Sequence, residues 1–428
     1  MRIAVVGAGI TGLTTALSLH AAGLDCVVFE AVAQPAPLGV GINLLPHAMR
    51  ELTELGLLPE LRSAGVEIDE LLYLTKHGKR IWREPRGLAA GYDWPQIAIH
   101  RGELQMLLLR AVQARLGPDA VQFGRVLSDV EIRADGVTAH FTDRTTGAAT
   151  PAYEADVLAA ADGIHSALRR KLYPDEGLPI WNGVTLWRST SRVGKVLGGR
   201  SMLWAGHARQ KFVAYPIGYD AETGDTLLNF ICDLKTAGDA PTPPKEDWNR
   251  TGDRTELLPR YEGWRWPGID VPELVASSGD IFVFPMVDRD PLPRWTFGRA
   301  TLLGDAAHPM YPIGSNGATQ GIIDARAFAY HLATAATPDA GLAAYEAERR
   351  PATERIVLMN RANGPDQVME LAEQRAPNLD DDLDARLPMA ERQAIADEYK
   401  QVAGFDPRTL NARASYSVRT RRLDRFRD

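Results

Sequence analysis

This sequence offers little from which a covalent or metallic staple could be made. Cys26 and Cys232 are the only cysteines in 428 residues, and two thiols cannot build a disulfide framework or a zinc site. Both fall inside apolar runs, where a thiol reads as a small buried hydrophobe. The nine histidines show neither H-x-H nor H-E-x-x-H spacing, so no metal is predicted. No apolar run approaches the roughly 18 residues of a membrane span. Positive charge is also short: 48 Lys and Arg face 55 Asp and Glu, and the net charge of −7 argues against nucleic acid as a partner. The one basic cluster, Arg419, Arg421, Arg422, Arg425 and Arg427, reads as a solvated helix face. Repeats and low-complexity tracts are missing too. The first patterned strand begins at Ile3, so a cleaved leader would take it away, and a cytoplasmic protein is the expectation.

What is present is a chain with 45% hydrophobic residues, long enough for two cores. Its organising stretch is Ile3-Ala4-Val5-Val6-Gly7-Ala8-Gly9-Ile10-Thr11-Gly12, then a helix-like run and Cys26-Val27-Val28-Phe29-Glu30. That order is strand, G-x-G-x-x-G turn, helix, strand, acid. Gly7 permits the sharp turn, Gly9 lets backbone approach a pyrophosphate, and Gly12 lets the helix lie on the strand. Glu30, eighteen positions after Gly12, is placed to accept from a ribose. NAD and FAD share this fingerprint, so the stretch alone leaves the dinucleotide open.

Further along, Gln34 to Asn43 is a Pro- and Gly-punctuated loop too apolar for an exposed linker, and Pro46 opens an amphipathic helix to Gly56. Residues 71–95 look β-like and read as an excursion into a second domain. A helix from His100-Arg101 to Gly117 carries an arginine in its first turn, which opposes the helix dipole and suits a nearby anion. Val121 to Val126 reads as one strand, and Asp135-Gly136 turns a hairpin. Asp156 to Arg169 is a buried strand passing through Asp162-Gly163 into a helix. Between Trp181 and Val287 short alternating runs predict a sheet, and six of nine tryptophans (181, 187, 204, 248, 264, 266) fall there, as core or as the wall of a flat-ligand site. Residues 237–262 are polar and proline-rich, a loop or short helices. Arg299 to Pro309 is again strand then turn, followed by Pro312 to Gly317 and a helix to about Ala335. Arg349-Arg350-Pro351 is expected to interrupt the next helix, and the remainder is charged and helical.

Gly7-x-Gly9-x-x-Gly12 with Glu30, Asp162-Gly163-x-x-Ser166-x-x-Arg169, and Gly304-Asp305-Ala306-Ala307-His308-x-x-x-Pro312 together resemble the three fingerprints of single-component FAD-dependent aromatic hydroxylases, the p-hydroxybenzoate hydroxylase fold. Three further stretches, Pro37 to Asn43, His100 to Met106 and Pro285 to Pro293, most resemble the branch that hydroxylates 5-methylphenazine-1-carboxylate. Ala160 departs from the glycine many relatives carry before Ala-Asp-Gly, which touches local packing only. The resemblance implies an α/β fold with a Rossmann-like FAD-binding domain (1–70, 96–180, 288–370), an inserted β-sheet substrate domain (71–95, 181–287) and a C-terminal helical region (371–428).

It also implies residue roles. Gly7, Gly9, Ile10, Thr11 and Gly12 would hold the FAD pyrophosphate, with Glu30 and Ala31 at the adenosine ribose. Arg101 would face the pyrophosphate or ribityl chain, and Val126 the adenine through its backbone. Gly304 and Asp305 would meet ribityl hydroxyls. Val40, Gly41, Pro312, Gly314, Asn316 and Gly317 would flank the isoalloxazine, the helix from Gly317 aiming N–H groups at its N1 and O2. Asp162 is left between an NAD(P)H-related role and a helix-start role. Substrate-pocket candidates are Trp187, Arg188, Trp204, Tyr215, Met286 and Tyr311; Arg188 is the one that could meet a carboxylate, a surface role being equally open to it. NADH or NADPH would be the reductant, and oxygen would pass through a flavin C4a-hydroperoxide to an electron-rich aromatic or heteroaromatic ring. An epoxidase or oxidase of the same fold and a non-catalytic flavin-binding protein are the alternatives. A monomer or homodimer is expected.

Overall fold

The computed structural model describes residues 1–220, 222–237 and 250–418. Its first layer is a five-stranded parallel sheet in the order Ala300–Leu302, Val157–Ala160, Arg2–Val6, Asp25–Phe29, Val121–Gln122. Ile3, Ala4, Val5, Leu158 and Leu302 are wholly buried, as a sheet covered on both faces demands. The helix Ile10–Ala21 packs on the helix Gly317–Thr334, far away in sequence. Because the parallel strands run side by side, the turns leaving Val6, Phe29, Ala160 and Leu302 all emerge at one edge.

The second layer is a seven-stranded sheet: Phe282–Asp288, Ile180–Val193, Thr226–Lys235, Gln210–Tyr219, Ser201–His207, Glu70–Leu74, Arg80–Pro85. Alternation gives it two faces. One carries Arg188, Tyr215, Asn229 and Ile231 toward the first layer, and the other packs Trp187, Phe212, Phe230 and Cys232 under the helices Arg254–Tyr261 and Val271–Ser277. A small sheet of Gly41–Leu44, Gln96–His100 and Val66–Ile68 joins the layers. The described chain ends in helices that include Gln367–Arg375 and Met389–Val402.

Four expectations are corrected. Val121 to Val126 is not one strand: Gly124, at φ +72°, turns the chain, and the second strand runs Arg125–Ile132. That strand and Val137–Asp143 are joined by an unforeseen third, Ala149–Ala155. Pro351 does not interrupt its helix, which is continuous over Pro338–Arg361. Tyr345, Arg349, Thr353 and Ile356 lie buried on either side of it, so tertiary packing holds the helix across the missing N–H while Pro351 itself faces solvent. Cys26 is only partly buried, unlike Cys232. Trp248, the basic cluster from Arg419 and much of the 237–262 stretch lie outside the described residues.

Candidate functional site

At the edge where the parallel strands end, backbone groups crowd together. Gly7 has φ +99°, its N–H bonds Phe29 O at 2.7 Å, and a Cβ there would lie 2.5 Å from Ala161 O. A Cβ on Gly12 would sit 1.8 Å from Gly7 O, so helix and turn touch backbone to backbone. Gly9 opens the helix Ile10–Ala21 with no side-chain cap and free space around its Cα. Its first-turn N–H groups are therefore left for an acceptor. Glu30 braces the turn, accepting from Ala8 N–H at 2.6 Å and Val32 N–H at 2.7 Å; Gln105 adds a bond from its amide to Ala8 O at 2.9 Å. Ala31 follows, half-buried, between Glu30 and Val32.

Thr11 ties this turn to the third motif. A Cβ on Gly304 would come 2.6 Å from Thr11 Oγ1, and one on Gly321 would come 2.2 Å from it. Asp305 thus stands beside the first glycine turn and beside Gly317, and among the described residues it makes no hydrogen bond with protein. Its side chain opens onto the cleft, and desolvation by the surrounding protein raises its pKa, opposed by His308 and Arg101. Arg101 reaches water through the cleft mouth yet is walled in by protein. Burial lowers its pKa, Arg188 lowers it further, and Asp305 opposes both. Its own N–H bonds Val40 O at 2.8 Å, and its side chain lies along Gly39. Ala8, Glu30, Val40, Arg101, Phe282 and Phe284 line a cavity of about 210 Å³. A second cavity of about 10 Å³, beside Glu84 and Trp204, has room for one water and lies apart from it.

The loop after Asp305 is held from behind. Asp324 is fully buried: Oδ2 accepts from Gly304 N–H at 3.0 Å and pairs with His308 Nε2, while Oδ1 takes Arg349 Nε at 2.8 Å. His308 and Arg349 overcome its burial and hold its carboxyl down at about 2. Arg349 continues to Gln320 Oε1 at 2.6 Å, and the Gln320 amide to Asn316 Oδ1 at 3.0 Å. Asn316 occupies the N-cap of the Gly317–Thr334 helix without capping it. The first-turn N–H groups of this helix are therefore also left for an acceptor. Pro312 is exposed at the loop's start, and Gly314 and Ser315 have φ +71° and +59°.

Across the cleft, the second sheet grips the loop around Gly41. Asn229 Oδ1 accepts from Gly41 N–H at 2.7 Å and Arg188 Nη2 donates to Gly41 O at 3.0 Å, while a Cβ on Gly41 would lie 2.8 Å from Tyr215 Cε2. Arg188 Nε and Asn229 Nδ2 are buried without protein partners among the described residues. Arg188, Tyr215 and Trp204 share this face; Met286 and Tyr311 lie beside it with Leu186 and Ile313. Trp187 is the exception. Its neighbour parity turns it to the opposite face, against Gly252 and Val283. Val126 sits in the strand paired with Thr142, and Phe123 lines the cavity instead. Asp162 Oδ2 accepts from Ala167 N–H at 2.8 Å at the start of a helix capped by Ser166.

Sequence reading missed Asp324, Gln320, Arg349, Asn229, Gln105 and the three cavity phenylalanines, Phe123, Phe282 and Phe284. The signal available was polarity out of place: Asn229 stands amid apolar residues in a strand, and Asp324 and Arg349 are charged residues on the buried faces of their helices.

The sequence pattern described as FAD binding domain matches residues 1–211 and 269–360. Over 362 residues, 84% of this chain and 89% of the relative, the chain is 46% identical to a phenazine 1,6-dicarboxylic acid hydroxylase of Lysobacter antibioticus. It is 32% identical to a 3-amino-4-hydroxybenzoate 2-monooxygenase of Streptomyces platensis, covering 96% and 98% of the two chains. The crystal structure of Klebsiella pneumoniae HpxO complexed with FAD and uric acid superposes with a TM-score of 0.72 at 25% identity, covering 96% of each chain.

Proposed function

The chain belongs to the FAD binding domain family and is a flavin-dependent aromatic monooxygenase, and from that premise we propose that its substrate is a carboxylated, fused N-heteroaromatic of phenazine size. The observation that carries this reading is the pair of unspent buried donors, Arg188 Nε and Asn229 Nδ2, beside the cleft. Buried donors without partners are costly, and the oxygens of a substrate carboxylate are the acceptors such donors call for. The likeness to a hydroxylase of a phenazine dicarboxylic acid supports the same chemistry.

The residues fit FAD. Two uncapped helix starts, at Gly9 and Asn316, suit the pyrophosphate and the pyrimidine edge of the ring, and Asp305 has a carboxylate free for ribityl hydroxyls. When bound, FAD supplies the redox chemistry, taking electrons from NAD(P)H and activating O2 for transfer of one oxygen atom to the ring. The chain's part is placement and dryness. Arg101 neutralises phosphate, Glu30 fixes the glycine turn, and the Gly41 peptide, clamped by Arg188 and Asn229, keeps the loop shut over the cleft. We read residues 1–70, 96–180 and 288–370 as the cofactor layer, 71–95 and 181–287 as the substrate layer and 371–428 as the helical cover. No described helix is long and apolar enough to cross a membrane, and we read the enzyme as a cytoplasmic monomer or homodimer.

The test uses purified, FAD-loaded protein with NADH or NADPH. Phenazine-1,6-dicarboxylate should accelerate nicotinamide oxidation and take up one atom from ¹⁸O₂. Acceleration by hydroxybenzoates alone overturns the substrate class, and a protein that takes up no FAD overturns the whole reading.

A further inference from the structure

The helix Met389–Val402 lies outside the stretches that match the family pattern, yet one of its side chains reaches the loop Pro312–Gly317. Tyr399 is buried, and its hydroxyl is a hub. It accepts from Asn316 Nδ2 at 2.8 Å, and its hydrogen faces Asn360 Oδ1 at 3.1 Å and Ile313 O at 3.4 Å. Asn360 in turn donates to Tyr311 O at 3.1 Å, and Asn316 to Gly314 O at 3.2 Å. The carbonyls of residues 311, 313 and 314 are thus held by Asn360, Tyr399 and Asn316, three side chains that also bond one another through the Tyr399 hydroxyl.

The fit is close. A Cβ on Gly314 would lie 2.1 Å from the Tyr399 hydroxyl oxygen, and Gly314 is left-handed at φ +71°. Ser315 follows at φ +59°, one of three described non-glycine residues with positive φ. A side chain in that region persists only where its surroundings over-determine it. Tyr399 supplies such a constraint. It holds the Asn316 amide nitrogen, while Gln320 takes the Oδ1 that a helix cap would use.

We propose that Tyr399 is a positioning residue: through Asn316 and the Ile313 carbonyl it sets the loop whose N–H groups meet the reduced flavin ring. This rests on the flavin reading above. Negative charge on the reduced ring is stabilised by helix N-terminal N–H groups only if they are aimed at it. A loop released from Tyr399 therefore loses affinity for reduced flavin more than for oxidised flavin.

The experiment compares the FAD midpoint potential in wild type and Y399F. Tenfold weaker binding of reduced relative to oxidised flavin appears as a fall of about 30 mV for a two-electron couple. Y92F is the control. Tyr92 OH donates to Phe405 O at 2.6 Å, a tether of the same C-terminal region that does not touch the loop. It should lower Tm and leave the potential unchanged. N316A, which keeps Tyr399 but cuts its link, should reproduce the shift, serve if Y399F folds poorly, and be no worse alone than combined with Y399F. A wild-type potential in both Y399F and N316A, or equal shifts in Y92F and Y399F, overturns the proposal. If wild type takes up no FAD, it is the flavin reading that fails.

Discussion

Asp324→Asn isolates the buried charge on which the Gly304–His308 turn depends. In the native protein the carboxylate faces Arg349 Nε through Oδ1 and Gly304 N–H and His308 through Oδ2. An amide keeps the volume, but one of its two ends must present N–H to a donor, and the Arg349 guanidinium loses its counter-charge. The carboxyl falls from an ordinary 3.8 to about 2 in the folded protein, so ionisation stabilises the fold by about 2 kcal/mol. An amide resembles the protonated acid, which makes that the lower bound at neutral pH. Stranding a buried arginine raises the cost to about 3–5 kcal/mol. A depressed pKa fixes the sign of the pH dependence. The stabilisation is complete above about pH 4 and is lost as pH falls through about 2, with about 1 kcal/mol gone by pH 3. Urea unfolding of the apo-protein and of D324N at pH 7, 4 and 3 measures this directly. The gap between the two should be constant from pH 7 to near 4 and narrower at 3. A gap under about 0.5 kcal/mol at pH 7, or one that widens on acidification, refutes the reasoning.

Other substitutions probe the remaining parts of the site. Gly12→Ala places a Cβ 1.8 Å from Gly7 O, so it should cost about 1–3 kcal/mol in urea unfolding and abolish FAD retention on a desalting column. Asp305→Ala should leave apo-protein Tm nearly unchanged, because its carboxylate opens onto the cleft and no described protein donor bonds it. Fluorescence titration should show FAD binding about ten- to a hundredfold weaker, the loss of a charge-assisted hydrogen bond. Pro351→Ala, at an exposed position inside a continuous helix, should raise stability by about 1–3 kcal/mol; a fall in Tm would mean that the proline fixes a bend the packing needs.

Much of this site could be read from the chain because its parts are local. The glycines at 7 and 304 sit at positive φ within a few residues of the strands that deliver them, and a strand–turn–helix pattern carries its own geometry. Arg101 in a first turn, against the dipole, pointed to an anion, and it stands in the cleft near Asp305. What was hidden depends on partners distant in sequence. Alternation assigns Trp187 and Arg188 to opposite faces of one strand, but it does not say which face meets the cofactor layer. Parity is settled only when Arg188 finds the Gly41 carbonyl, 147 residues away. The split at Gly124 did carry a local signal, an isolated glycine inside a short strand pattern, which the alternation around it outweighed in the reading. Pro351 misled because helix propensity is a local term, and the packing of Tyr345 and Ile356 outweighs it.

The capping pattern bears on how the cofactor is held. Helices beginning after His100, Ser166, Asp253, Asp270, Thr337, Asp382 and Asp406 all have a side-chain acceptor at their first turn. The helices beginning after Gly9, Leu45, Leu57, Asn316, Asp366 and Pro388 do not, and of these the pair after Gly9 and Asn316 pack on each other beneath the cleft. At Gly9 there is no side chain to cap with. At Asn316 there is one, of a type well suited to the task, and it is turned away by Gln320 and Tyr399. The same amide therefore serves two ends. It ties the cofactor loop to the C-terminal helices, and it leaves the donors of the Gly317 helix for an acceptor outside the protein. Asn316→Asp removes the donor to Tyr399 and to Gly314 O and buries a carboxylate, so it should lower apo-protein Tm in thermal unfolding and weaken FAD binding with it; an unchanged Tm would show that the amide ties nothing.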